Sequence, residues 1–227
     1  MPIGFRIYSK FERANKEVIE MFKNLPVANI ADNMGRLYSV DQSIKPFNKV
    51  GMLGPAFTVK LPSGDNLMFH KAIELAQEGD ILVISAEGCM TRSLCGGLMF
   101  NAAMKKGIRG FLIDGCIRDV EDLKDLDFAC YAKGVQPNGP YKNGPGEIGV
   151  PVAIANQVVH PGDIIVGDMD GVVVVPKKDA EAVAKAAKAQ NELEKIKLEK
   201  TLAGKADRAW IDEELKKKNC EIINGCY

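Results

Sequence analysis

An arginine and an aspartate stand side by side at Arg118-Asp119, and a second acid, Asp122, follows after two residues. Twenty residues separate this pair from Gly96-Gly97, which opens a short apolar segment. A guanidinium beside a carboxylate, with the free N–H groups of a helix start facing them, would suit a small carboxylate held next to a divalent metal. The same residues have a plain structural reading. Asp119-Val120-Glu121-Asp122-Leu123 has the form of a helix beginning, with Asp119 as N-cap and Asp122 at the third helical position. Arg118 would then pair with a nearby surface carboxylate. Residue types alone leave both readings open.

The neighbouring elements would have to bring these residues together. Gly96-Gly97 is expected to open a helix over 98–106, ended by Gly107. Phe111-Leu112-Ile113 reads as a buried strand, with Asp114-Gly115 as the turn after it. In an α/β layer, the loop after such a strand lies at the C-terminal edge of the sheet, where ligands bind. Upstream, Ala14, Val18, Ile19 and Phe22 form one stripe of an amphipathic helix over 12–23, ended by Pro26, and a second short helix follows through Met34. Residues 51–61, 81–85 and 128–132 read as further strands and 67–76 as a packed helix, a mixture that predicts an α/β layered core. Between Pro137 and Gly149, three prolines and four glycines exclude a helix and predict a long loop. Such a loop is functional, a surface connection or a contact between subunits. Residues 177–202 are rich in Ala, Lys and Glu and predict a long helix with a solvated face, with Gly204 just beyond it.

The 227 residues suffice for one domain with a proper core, and 46% hydrophobic with 26% charged residues is an ordinary globular composition. Thirty basic residues balance thirty acidic ones without a basic cluster, which argues against a nucleic-acid partner. No apolar run is long enough for a membrane span, and MPIGFRIYSKFERANK lacks the apolar core of a secretory signal, so a cytoplasmic location is expected. The six cysteines form no CxxC pair and are expected to be reduced thiols. Cys95 and Cys116 flank the candidate site but read as small apolar fillers, because no histidine lies close in sequence to act as base. His70 and His160 are too few for a multi-imidazole zinc site, and both read as structural.

Gly97-x20-Arg118-Asp119-x2-Asp122 resembles the signature of the RraA-like family, which contains the class II 4-hydroxy-4-methyl-2-oxoglutarate aldolases and the regulator of ribonuclease activity A. Other segments resemble it in the same order: ANIADNMG at 28–35, GPAFTV at 54–59, Gly64-Asp65-Asn66, GDILV at 79–83, GDIIVGD at 162–168 and GVVVVP at 171–176. The resemblance covers about residues 25–204. It implies a layered β/β/α swivelling-type single domain over 1–204, with N-terminal helices and a long C-terminal helix. Residues 205–227 form a C-terminal extension outside it.

The implied activity is that of a metal-dependent class II aldolase, a lyase cleaving 4-hydroxy-2-oxo dicarboxylic acids to pyruvate and a second oxo acid. Oxaloacetate decarboxylation is the related reaction. By the resemblance, Asp119 would anchor Mg²⁺ or Mn²⁺ and Arg118 would lie against the keto oxygen. The backbone around Gly96, Gly97, Leu98 and Met99 would hold the substrate carboxylate, with Asn66 as a polar contact. The family also implies a homotrimer or hexamer with sites at subunit interfaces. An acid from the C-terminal helix would reach a neighbour's site, and Glu194 is the candidate, beside Glu192 and Glu199. Gly97 departs from the family pattern, since many members that release pyruvate carry an acid there. Asp122 would substitute in part, and it separates the chain from the ribonuclease-regulator branch. The alternative function is a non-catalytic, protein-binding regulator of a ribonuclease complex.

Overall fold

A computed structural model of the chain describes residues 3–226, in a first unit through Lys188 and a second from Ala189. The first half contains β1 (Phe5–Ile7), α1 (Lys16–Glu20), α2 (Val27–Asp32), β2 (Lys45–Pro46), β3 (Met52–Lys60), α3 (Leu67–Leu75), β4 (Ile81–Ser93), α4 (Gly97–Lys105) and β5 (Gly110–Ile117). There follow α5 (Val120–Leu123), β6 (Ala129–Val135), β7 (Gly146–Ile148), β8 (Val152–Ile154), β9 (Gln157–Val159), β10 (Ile164–Asp168), β11 (Gly171–Val175), α6 (Ala180–Leu202) and α7 (Ala209–Lys217).

Strands β3, β4, β5 and β6 are parallel neighbours, and period-two alternation along them feeds two different cores. Phe57, Val59, Leu82, Ile84, Phe111 and Ile113 face α3 and α4. Ala56, Ile81, Val83, Leu112 and Tyr131 point the other way, onto β8–β9 and the β10–β11 hairpin. The first part of β3 pairs antiparallel with β10, so one strand links the parallel sheet to the hairpin layer. On the hairpin's outer side Phe22, Val27, Ile30 and the start of α6 pack against Val166, Val173 and Val175. The result is the expected mixed α/β architecture of layered β/β/α type, with further helices outside.

The packing that matters for the site is aromatic. Phe111 stands edge-on to Phe69 of α3 at 4.8 Å and to Phe128 at 4.7 Å, with Phe100 of α4 beside them. Each fully buried ring contributes about 1.5–3 kcal/mol, and edge-to-face pairs add to that. Helix α4 is thereby anchored on β5. Its end is sharp: Gly107 N–H donates to Met104 O, Ile108 N–H donates to Ala103 O, and Gly107 takes φ +77°. That is the Schellman pattern that glycine serves best.

Several sequence expectations change. Asp114-Gly115 is not a turn, because β5 runs on through Ile117 with every residue buried. The Asp114 carboxylate is ion-paired inside, with Lys133 Nζ 2.7 Å from Oδ1, while Oδ2 accepts Gly88 N–H at 3.1 Å. A Cβ at Gly115 would lie 2.8 Å from Leu94 Cδ1, so the glycine serves close packing. Strand β4 likewise continues to Ser93, its register shifting twice against β5. The N-terminal helix shrinks to the five residues of α1, with no side-chain cap, and Pro26 begins α2 instead of ending α1. The loop over 137–149 contains β7, which pairs with β1 and β3. The long helix starts at Ala180. In the second unit, α7 buries none of its residues. Among the described residues no helix is long and apolar enough to cross a membrane.

Candidate active site

Three hydrogen bonds stitch the end of β5 to the chain that enters α4. Leu94 N–H donates to Cys116 O at 2.8 Å, Arg118 N–H to Cys95 O at 3.0 Å, and Gly97 N–H to Asp119 Oδ2 at 3.0 Å. Asp119 precedes α5, yet its side chain makes no capping bond to that helix. Its backbone is left-handed, φ 56° and ψ 42°. That conformation costs a non-glycine residue roughly 1 kcal/mol or more. Asp119 thus stands at the N-cap position of α5, as the sequence predicts, but its carboxylate does not cap that helix and is turned across to the start of α4. Its second oxygen, Oδ1, accepts no hydrogen bond among the described residues. Arg118 Nε lies 3.7 Å from Asp119 Oδ2, and both side chains are close to half exposed.

Both glycines at the helix start yield space to carboxylates. Gly96 has φ −161°, an extended backbone open to any residue, but a Cβ there would fall on Asp119 Oδ2 and 2.9 Å from Arg118 Cγ. A Cβ at Gly97 would lie 2.8 Å from Asp122 Oδ2 and 3.8 Å from Asp119 Cβ. Asp119 and Asp122 thus flank the first turn of α4, where the helix dipole favours negative charge. Met99 and Phe100 N–H groups turn back to Gly96 O at 2.9 and 3.1 Å. Leu98 N–H has no partner among the described residues, and the Leu98 side chain is exposed.

Asn66 lies behind this turn, 2% exposed. Its Nδ2 donates to Leu94 O at 2.8 Å and approaches Met99 Sδ at 3.6 Å. Its Oδ1 is buried without a hydrogen-bond partner, a condition that costs about 1–3 kcal/mol until a donor arrives. An acceptor oxygen in that position suits a hydroxyl or a water.

The loop over 136–145 forms the facing wall. Gln136 N–H donates to Ile117 O, Ser93 N–H to Asn138 O and Tyr141 N–H to Gly64 O. Asp65, 4% exposed, clamps the far end: Oδ2 accepts Asn143 N–H at 2.6 Å and Gly144 N–H at 3.0 Å, while Oδ1 accepts Leu67 N–H at 2.9 Å. A Cβ at Gly139 would stand 3.2 Å from Arg118 Nη1, so this loop borders the guanidinium directly. The sequence reading missed Asp65 as a clamp and Arg92 as part of the wall. Their partners lie roughly fifty to eighty residues downstream, and no local pattern reveals them.

The cysteines behave as fillers. Cys95 is buried, and burial pushes its thiol well up, with Cys130 and the Asp119 carboxylate adding to the effect. Burial also raises the Cys116 thiol. Neither is a ready nucleophile. Glu194 lies in the second unit, where Gln190 Nε2 donates to its Oε1 at 2.9 Å. Among the described residues, no three His, Cys, Asp or Glu side chains gather as a metal cage. The donor set is instead one or two carboxylates with unengaged oxygen, which fits a hard cation that keeps several waters.

Residues 27–174 match the RraA-like family, described as Aldolase/RraA. The chain belongs to that family. An RraA-like relative from Halalkalibacterium halodurans, named "Putative 4-hydroxy-4-methyl-2-oxoglutarate aldolase", is 40% identical over 177 residues, covering 78% of this chain and 84% of the relative. Among solved structures, a Pseudomonas syringae protein superposes with a TM-score of 0.75 at 25% identity, covering 86% of this chain and 96% of its own. The RNA-processing inhibitor RraA from Thermus thermophilis superposes with a TM-score of 0.62 at 26% identity, covering 66% of this chain and 92% of its own.

Proposed function

We propose that this RraA-like protein is a divalent-metal-dependent carbon–carbon lyase. It would cleave 4-hydroxy-2-oxo dicarboxylic acids to pyruvate and a second oxo acid, with oxaloacetate decarboxylation as a related activity. The observation that carries this reading is Asp119: held in a strained backbone conformation beside Arg118, one oxygen tied to Gly97 N–H and the other unengaged. A residue used merely to start a helix would need neither the strain nor the long-range bond.

Asp119 would hold Mg²⁺ or Mn²⁺, with Asp122 in reach of its waters. The cation, when bound, supplies Lewis-acid stabilisation of the charge that develops as the C3–C4 bond breaks. Arg118 would donate to the keto oxygen as it becomes negative, an interaction stronger in the transition state than in the ground state. The substrate carboxylate would take Leu98 N–H at the positive end of α4. Asn66 Oδ1 would accept a hydrogen bond from a substrate hydroxyl or an ordered water. Asp122 would orient the water that removes the C4 hydroxyl proton. Its carboxylate lies where the stem of a residue-97 side chain would run, which supports Asp122 as the replacement for the acid other members carry there. Glu194 would act across a subunit boundary in a homotrimer or hexamer.

The test is pyruvate release from 4-hydroxy-4-methyl-2-oxoglutarate and from oxaloacetate, each with and without Mg²⁺ or Mn²⁺. Metal-dependent release from at least one is expected. No release from either by folded, metal-loaded protein would sink the proposal. The likeness to the Thermus inhibitor then favours the second reading, a protein-binding regulator of a ribonuclease complex.

A further inference from the structure

Arg92, a cation in the wall of the site, has no acidic partner among the described residues. It is the second-last residue of β4 and reaches across to the loop over 136–145. Its Nη1 donates to Gly139 O at 2.8 Å and its Nη2 to Tyr141 Oη at 2.7 Å, with the guanidinium 4.0 Å from the centre of the Tyr141 ring. No carboxylate pairs with it among the described residues, unlike Arg6, Arg13 and Arg36, each of which has an acidic partner. The backbone carbonyl and the phenol take two of its five N–H groups, so the remaining donors and the full positive charge are available to a ligand.

Arg92 and Arg118 meet at the same residue. One donates to the carbonyl of Gly139, and the other stands 3.2 Å from where a Gly139 side chain would begin. The absence of a side chain at Gly139 leaves the two guanidiniums on one small surface. Gly64 contributes in the same way, since its missing Cβ would stand 3.0 Å from Arg92 Cδ. The aromatic ring and the carbonyl hold the guanidinium in place, so little side-chain entropy remains to be lost when a ligand binds. Charge points in the same direction. Asp119 and Asp122 balance one divalent cation, which leaves Arg118 and Arg92 to face two negative charges.

We propose that Arg92 is the residue that recognises the distal carboxylate of the substrate, making the site selective for dianionic over monoanionic 2-oxo acids. This rests on the lyase reading above and specifies its acceptor side. Arginine suits that role because its planar fork meets a carboxylate with two parallel N–H donors.

Calorimetric titration in Mg²⁺ with pyruvate, 2-oxoglutarate and 2-oxopentanoate tests it. The last two share a five-carbon chain and differ in the distal carboxylate. Wild-type protein is expected to bind 2-oxoglutarate about 10- to 100-fold more tightly than 2-oxopentanoate, the range of a charge-assisted hydrogen bond. Arg92→Gln should erase that ratio while pyruvate affinity changes by no more than about 3-fold, and Arg92→Lys should restore part of it. Two results would overturn the assignment: no preference in the wild type, or an equal loss for all three ligands in Arg92→Gln, which would mean that Arg92 only braces the loop. Failure of the wild type to bind pyruvate at all would instead place the fault in the oxo-acid reading, and Arg92's role would fall with it.

Discussion

At one edge of the parallel sheet Asp80 and Arg13 form a closed ion pair; at the opposite edge Asp119 and Arg118 form an open one. Asp80 is fully buried, and Arg13 meets it with two bonds, Nε to Oδ1 at 2.7 Å and Nη2 to Oδ2 at 2.8 Å. Gln77 N–H adds a third bond to Oδ2. Every lone pair that matters is used, and the pair closes the entry to β4. Asp119 has the same chemistry but half its accessible surface remains, its arginine stands at 3.7 Å, and one oxygen is unused. Identical residue types thus form a closed structural pair where their bonds are complete and, on the function proposed above, a ligand site where they are left incomplete. The difference lies in burial and in the backbone: the left-handed turn at Asp119 spends stability to hold a carboxylate toward solvent.

This contrast can be broken from either side. Asp119→Ala should lower metal-dependent pyruvate release by about 10³-fold, equivalent to about 4 kcal/mol, while the melting temperature stays within about 2 °C. Steady-state kinetics beside a thermal melt checks both halves, and retained turnover would show the site misassigned. Asp80→Ala should do the reverse. Leaving Arg13 partly buried and unpaired should cost about 3 kcal/mol, seen as a fall in melting temperature of roughly 6–12 °C. Turnover at a temperature where the variant is folded should be kept; a specific loss of turnover there would blur the distinction between the two pairs.

Gly96→Ala sharpens the comparison by moving Asp119 without removing it. The new methyl group collides with Asp119 Oδ2, so Mg²⁺ affinity should fall about 10- to 100-fold, measured by titration, with the fold intact. Unchanged affinity would mean that the carboxylate position does not matter to the cation. The smallest effect is expected from Glu194→Gln, a loss of roughly 5- to 10-fold in turnover at constant melting temperature, below the roughly 10²–10⁴-fold typical of a direct proton-transfer group. Mixed assemblies of Glu194→Gln and Asp119→Ala chains should recover part of the activity if the two residues meet across subunits, and none if they act within one chain.

Much of the scaffold was legible because it rests on local repetition. The alternation through 81–85 and 110–113, the helix-former run after Ala180 and the glycine stop at Gly107 each express a period or a backbone constraint contained within a few residues. The later part of β4 escaped notice since Glu87, Gly88, Thr91 and Arg92 interrupt the alternation where the strand bulges and curls. Asp114-Gly115 misled for a related reason. A pairing that signals a turn in solvent was instead a buried ion pair and a packing glycine, with partners at Lys133 and Leu94 that lie well away in sequence.

The spacing of Gly97, Arg118, Asp119 and Asp122 picked out residues that the fold brings together but could not say how they are arranged. A capping aspartate and a ligand-holding aspartate have the same sequence. They differ in where one carboxylate points, and that was decided by Gly97 N–H across 22 residues and by the left-handed backbone at Asp119. Asn66, Asp65 and Arg92 belong to the same class. Their partners lie far along the chain, in the loop over 136–145 and, for the Asn66 amide, at Leu94. The sequence by itself determined the family, through the order and spacing of its motifs, and much of the layering, because propensity and periodicity act between near neighbours. The tertiary structure alone decided which charges are paired and which stay open, because burial and hydrogen-bond completion depend on residues far apart in the chain.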